Sequence, residues 1–174
     1  MAGNQLGKTW AGGFECAMHL TGRYPVWWTG RRHREPVRLW AAGVTGEGTR
    51  DNAQRILLGP PALREQWGTG TIPGDAIAHI SLGRGVADAV DTIIVRHVSG
   101  GLSSLSFKAY GMGRAKWQGE TLDGVWFDEE PPLDIYTEGL TRTNATAGFT
   151  MVTFTPLLGM SGVVRLFLND AGAG

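Results

Sequence analysis

Ala2-Gly3-Asn4-Gln5-Leu6-Gly7-Lys8-Thr9 opens the chain, and the fold follows from how this stretch is read. It matches the P-loop template, a small residue followed by four variable positions and then Gly-Lys-Thr, with Ala2 in place of the usual first glycine. The physical demand is narrow. Consecutive backbone N–H groups must point inward at phosphate oxygens, so the turn needs residues without bulk, here Gly3 and Gly7. A helix should begin at the loop's end, because its unpaired N–H groups and partial positive charge complete an anion site. Lys8 would then reach the β- and γ-phosphates of ATP, and the Thr9 hydroxyl would ligate Mg²⁺. A glycine-rich tail that happens to contain Gly-Lys-Thr would look the same locally, so the reading needs support elsewhere.

That support is Gly124-Val125-Trp126-Phe127-Asp128-Glu129. A strand buried on both faces reads as a continuous apolar run, and strands of this kind deliver polar residues at their carboxyl ends. Asp128 emerges where a P-loop's magnesium would sit, and Glu129 follows as the group that polarises an attacking water. A strand ending in a charged Glu-Glu-Pro-Pro turn is the competing explanation. One magnesium must touch both Thr9 and Asp128, so the carboxyl end of this strand should face the stretch from Ala2 to Thr9.

The 174 residues are 42% hydrophobic and 18% charged, the composition of one globular domain. No apolar run approaches the roughly 20 residues of a membrane span, and with the loop starting at Ala2 no signal peptide is expected. The single cysteine, Cys16, excludes an internal disulfide. The 16 basic and 16 acidic residues balance, unlike the basic footprint of an autonomous nucleic-acid binder. The charge is uneven, however. Arg23, Arg31, Arg32, Arg34 and Arg38 face only Glu35 in one early stretch, of which Arg31 to Arg34 reads as a solvated loop after the turn Tyr24-Pro25-Val26-Trp27-Trp28. Between Trp117 and Thr141 there are seven acids and no Lys or Arg, a solvated face or, in part, a metal site. His19, His33, His79 and His97 are dispersed without ligand spacing, and no zinc is expected.

Periodicity supplies the rest. Trp10, Phe14, Ala17 and Met18 form the stripe of an amphipathic helix packing on a sheet, with Gly22 as its stop. Gly12 and Gly13 weaken that helix by about 1 kcal/mol each yet permit close packing. Val37 to Val44 reads as a strand and Thr49 to Leu58 as a helix capped by Thr49 and ended by Pro60-Pro61. Ala62 to Asp88, rich in glycine, reads as loops with a short helix or two. Asp91 to Val98 and Leu102 to Tyr110, joined by Ser99-Gly100-Gly101, read as a hairpin. Phe149 to Thr155 is a further strand, stopped by Pro156, and Gly159 to Asn169 a helix with Val163, Val164, Leu166 and Phe167 inward.

Five motifs now stand in order: Gly3 to Thr9, Tyr24-Pro25-x-Trp27-Trp28, Gly113-Arg114-x-x-Trp117-Gln118-Gly119, Trp126 to Pro132, and Thr153-Phe154-Thr155-Pro156-Leu157-x-Gly159. In this order they resemble the large terminase subunit of tailed bacteriophages, over nearly the whole chain. The resemblance implies an α/β fold of the RecA-like P-loop NTPase class, with a mostly parallel sheet flanked by helices. It implies an ATPase that pumps double-stranded viral DNA into a procapsid in the host cytoplasm. Its partners would be a homo-oligomeric ring of its own copies, the portal and the small terminase subunit, with no membrane. Thr153 and Thr155 occupy the positions of the motif that links hydrolysis to movement, and Arg114 is the candidate for an arginine acting across a subunit boundary. Family members have a strand leading into the P-loop and continue into an RNase H-like nuclease domain. This chain starts inside the loop and ends at Gly174, so one ATPase-core domain over residues 1–174, lacking that strand and without nuclease activity, is expected.

Two other readings stay open at this stage. Another P-loop ATPase on nucleic acid, such as a helicase core, would use the same residues, although no helicase-type motif follows Asp128. A catalytically silent fragment that only offers an interaction surface would fail to bind nucleotide at all.

Overall fold

The computed structural model describes residues 3–154 and 161–170, with the side chains of 3–6, 114 and 167–170 left aside. Helix α1 (Gly3–Thr21) already includes the glycine-lysine-threonine stretch, so the expected loop up to Thr9 is instead the first turns of a helix. Asn, Gln, Leu and Lys all tolerate helix, and the i→i−4 ladder pairs the N–H groups of Gly7, Lys8 and Thr9 with carbonyls. Gly22 ends the helix as expected, with φ 70° and its N–H on Met18 O at 2.8 Å.

The inward face of α1 is not the expected stripe. Gly12, Gly13, Cys16, Ala17 and Leu20 are buried, whereas Trp10 and Phe14 are 40% and 54% exposed. The reason is distance. A Cβ on Gly12 would lie 2.5 Å from the Trp126 ring, and one on Gly13 would lie against Ile56. A helix seated that closely has no room for large side chains on its contact face, and they rotate outward.

Six strands form one sheet in the order β2-β3-β4-β1-β5-β6. They are β1 (Arg38–Gly43), β2 (Ile77–Leu82), β3 (Val90–Arg96), β4 (Leu102–Ala109), β5 (Gly124–Asp128) and β6 (Phe149–Thr153). Strands β4, β1, β5 and β6 run parallel, while β3 and β2 extend the sheet antiparallel beyond β4. The parallel register brings the ends of four strands, Gly43, Ala109, Asp128 and Thr153, to one edge. All five residues of β5 are buried, the two-sided burial that its apolar run predicts. The β3–β4 hairpin is as expected, with His97 N–H on Gly101 O at 2.9 Å. Strand β2 lies hidden in the glycine-rich stretch, because it is half-exposed and bulged at both ends of its register and so carries no clean alternation.

The helical segment after β1 starts earlier than its composition suggests. It comprises α2 (Gly46–Thr49), a wide π turn (Arg50–Gln54) and α3 (Arg55–Leu58). Its cap is Thr45, whose Oγ1 accepts from Gly48 N at 2.9 Å; Thr49 lies inside and donates to Thr45 O at 2.7 Å. Gly46 and Gly48 disguise this start. Helix α4 (Leu133–Asn144) occupies the acidic stretch, where no helix is expected from the sequence. Helix α5 (Gly162–Asp170) buries Val163, but Leu166 is 40% exposed rather than inward, one turn further along a helix that lies against α4.

Two core layers result. Cys16, Leu20, Leu39, Ala41, Leu57, Ile93, Leu105 and Trp126 join α1 and α3 to one face of the sheet. Trp40, Tyr110, Trp117, Val125, Phe127, Ile135 and Tyr136 fill the other.

Candidate active site

The residues singled out from the sequence converge at the carboxyl edge of β5 and β6. Thr9 Oγ1 on α1 donates to Asp128 Oδ1 at 3.2 Å, 119 positions away in sequence. Thr153 Oγ1, opposite Asp128 in the β5–β6 register, donates to the same oxygen at 3.0 Å. Thr153 in turn accepts from Trp126 Nε1 at 2.8 Å. That indole is the surface on which Gly12 rests, so α1 is registered on β5 through the ring that orients Thr153. Lys8 Nζ lies over the end of β6, 3.2 Å from Phe154 O.

Asp128 is 5% exposed. Burial pushes its carboxyl up to about 6, against the pull of the Thr153 and Thr9 hydrogen bonds, and the neighbouring Glu129 charge adds to the rise. A buried carboxyl held by two hydroxyls and disfavoured as an anion is stabilised by a cation. Among the described residues no group of three His, Cys, Asp or Glu could hold a metal ion, so the protein offers few ligands here. Magnesium fits that donor set, because it keeps several waters and takes substrate phosphate oxygens beside one or two protein ligands.

Glu129 is exposed and takes φ 76°, one of three described non-glycine residues with positive φ. For an L-residue this costs about 1–2 kcal/mol. Its N–H donates to Thr153 O at 2.9 Å, and its carbonyl accepts from the Tyr110 hydroxyl at 2.6 Å. Glu130 accepts a short hydrogen bond from Ser161 Oγ, which also caps α5 through Val164 N at 3.1 Å. Glu130 therefore anchors a helix.

Arg114 begins a tight turn (Arg114–Trp117) shortly after β4 reaches this edge; its backbone lies four positions beyond Tyr110. Gly3, Asn4, Gln5 and Leu6 form the first turn of α1, while Ala2 and Thr155 lie outside the described residues. Sequence reasoning missed Trp126, Tyr110 and Ser161. Each reads as an ordinary core or loop residue, and only the fold aims its polar atom. It also missed that three dispersed histidines gather: the His19 and His33 rings lie 4.9 Å apart at the end of α1, with His97 close enough to influence His33.

A mostly parallel sheet with a Lys-Thr helix docked on the carboxyl end of a buried strand defines an α/β domain of the RecA-like P-loop class. The family described as terminase large subunit, T4likevirus-type, N-terminal, has a model that matches residues 1–172, and the chain belongs to that family. It is 46% identical over 187 residues to the terminase large subunit of Salmonella phage P22, covering 98% of this chain and 38% of that protein. It is also 46% identical over 52 residues to the large subunit from Enterobacteria phage LP7, covering 30% of this chain and 11% of that one. The fold resembles two structures of the large terminase from a thermophilic bacteriophage. One matches at TM-score 0.50 and 17% identity over 86% of this chain and 30% of that one. The other, a complex with ADP, matches at TM-score 0.50 and 14% identity over 98% of this chain and 44% of that one. The chain thus spans less than half the length of the relatives it matches. Among the described residues no helix is long and apolar enough to cross a membrane.

Proposed function

We propose that the chain is the ATP-hydrolysing motor domain of a large terminase subunit, driving double-stranded viral DNA into a procapsid. The observation that carries the reading is the 3.2 Å contact between Thr9 Oγ1 and Asp128 Oδ1, which joins the Gly-Lys-Thr motif to the end of the buried strand. In this reading Ala2 and the first turn of α1, Gly3 to Leu6, offer N–H groups to the phosphates, Gly7 keeps side-chain bulk away from them, and Lys8 neutralises the β- and γ-phosphates. Thr9 and Asp128 hold Mg²⁺, whose charge supports the transferring phosphoryl group. Glu129, exposed at the strand end, orients and polarises the attacking water. Thr153 and Thr155 sense the γ-phosphate, the former already bonded to Asp128. Arg114 acts on a neighbouring subunit's nucleotide in a ring.

DNA affinity comes from assembly, since the chain carries no net charge and phosphate neutralisation needs many cations. Arg31 and Arg32 are exposed and donate to backbone carbonyls, to Ala147 O and to Pro25 O and Trp28 O, so their charge is left to meet a polyanion. The portal and the small terminase subunit are the remaining partners, in the host cytoplasm.

Titration with Mg·ATP and measurement of phosphate release test the assignment. Asp128→Asn should weaken nucleotide binding and turnover together, whereas Glu129→Gln should leave affinity nearly intact while kcat falls by roughly 10²-fold or more. Wild-type binding and turnover in Asp128→Asn would overturn the site.

A further inference from the structure

We infer that Tyr110 is a positioning residue for Glu129, its hydroxyl holding the glutamate backbone in the left-handed conformation that directs the carboxylate. The inference rests on the proposed role of Glu129 in activating water. Three carbonyls surround the phenol oxygen: Glu129 O at 2.6 Å, Asp128 O at 3.2 Å and Ala42 O at 3.5 Å. A hydroxyl has one proton to donate, and the shortest contact takes it. Burial pushes the phenol pKa upward, which keeps that proton in place.

The ring cannot swing away. Tyr110 is 7% exposed and lies against Phe127 and Trp117, with centroids 6.1 and 6.4 Å apart. Glu129 is therefore gripped on both sides, its N–H by Thr153 O and its C=O by Tyr110. Its φ of 76° is a conformation that an unrestrained glutamate abandons, and such strain persists where the surroundings over-determine it. Without the grip the peptide relaxes and the carboxylate leaves its line. The same tyrosine opens the segment that leads to Arg114, and Trp117 at the far end of that segment stacks on Phe127 at 5.8 Å. The Arg114 turn is thus fastened at both ends to the strand that carries Asp128 and Glu129.

A tyrosine that merely fills the core would have the same burial, so the test must read the hydroxyl through Glu129. Phosphate release is measured in single turnover on the full chain for wild type, Tyr110→Phe, Glu129→Gln and the double variant, with nucleotide affinity and thermal melting alongside. Tyr110→Phe should lower kcat roughly 10-fold or more, with ATP affinity within about twofold of wild type. It should cause no further loss in the Glu129→Gln background, because the group it positions is gone. Replacing Tyr110 by 4-aminophenylalanine, which keeps a donor on the same ring, should restore turnover, and it serves as the test if Tyr110→Phe fails to fold. Unchanged kcat in Tyr110→Phe, an equal loss in both backgrounds, or no rescue by the amino analogue overturns the inference. Full activity in Glu129→Gln would instead remove the water-activating role itself, a failure visible before any tyrosine variant is made.

Discussion

On one face of the sheet α1 meets β5 through glycine, with Gly12 against the Trp126 indole and Gly13 against Ile56. On the other face the contacts are rings: Trp117 lies 5.5 Å from Trp40 and 5.8 Å from Phe127, and Phe127 continues to Tyr110 and Tyr136. The first face sets position by the absence of side chain, the second by its abundance. They end at two adjacent residues, one for each face. Trp126 leads through Thr153 to Asp128, and Phe127 braces Tyr110 against Glu129. Alternation along β5 thus sends one neighbour to each face and gives the aspartate and the glutamate separate supports.

The largest expected effect is on the ring face. Phe127 is fully buried and touches three other aromatic rings, so Phe127→Ala should cost about 3–5 kcal/mol. Against a total stability of about 5–15 kcal/mol this leaves a marginal fold. Equilibrium denaturation gives the number. A loss below about 1 kcal/mol, well under the usual cost of truncating a buried phenylalanine, would mean that the ring layer is not what holds this face.

Gly12→Ala probes the opposite face. The added methyl would sit 2.5 Å from a ring that is itself fully buried, so neither partner yields without a shift. Overpacking of this kind costs about 1–3 kcal/mol, partly offset by the better helix propensity of alanine, about 1 kcal/mol. The displaced indole should also release Thr153, so weaker Mg·ATP binding is expected in the same titration. Unchanged stability together with unchanged nucleotide affinity would separate α1 from the Asp128 site and break the comparison.

The two faces also differ in how much of them is legible in the sequence. Strand β5 and the Asp128 end can be read because two-sided burial leaves an apolar run and then stops. The ring face is invisible as such, since Trp40, Tyr110, Trp117 and Tyr136 come from a strand, two short turns and a helix, and no period connects them. The α1 face is misread for a definite reason: periodicity weighs Trp10 and Phe14 as core residues, whereas a helix seated on glycines turns them out. The convergence of Thr9 on Asp128 follows from the chemistry required of both, but the relay from Trp126 to Thr153 and on to Asp128 requires the register of β6. Strand β2 and α4 escape because a half-exposed edge strand and an acid-rich helix lack strong patterning.

The smallest effect concerns the far end of the glycine-lined helix, where charge can be introduced without mutation. His19 is buried, with Nδ1 2.9 Å from the Tyr24 hydroxyl, and its ring lies 4.9 Å from both His33 and Phe149 at the start of β6. His33 Nε2 is buried without a hydrogen-bond partner among the described residues. Burial, then the charges of His19 and Arg31, hold the His33 pKa below its ordinary value, with Asp123 opposing and His97 adding slightly. The folded chain therefore resists a proton that the unfolded chain accepts near pH 6.5, an ordinary histidine value of about 6.5. Stability should be complete above that pH and should decline as pH falls through about 6.5 towards the lower folded value. His33→Gln cannot take up the proton, so its denaturation midpoint should change less between about pH 7 and about pH 5 than that of wild type. The ring layer on the opposite face contains no histidine among the described residues, so the acid effect should spare the Tyr110 and Phe127 contacts and appear first in hydrogen exchange at the carboxyl end of α1. Identical pH slopes in the two proteins would show that the histidine cluster carries no such cost.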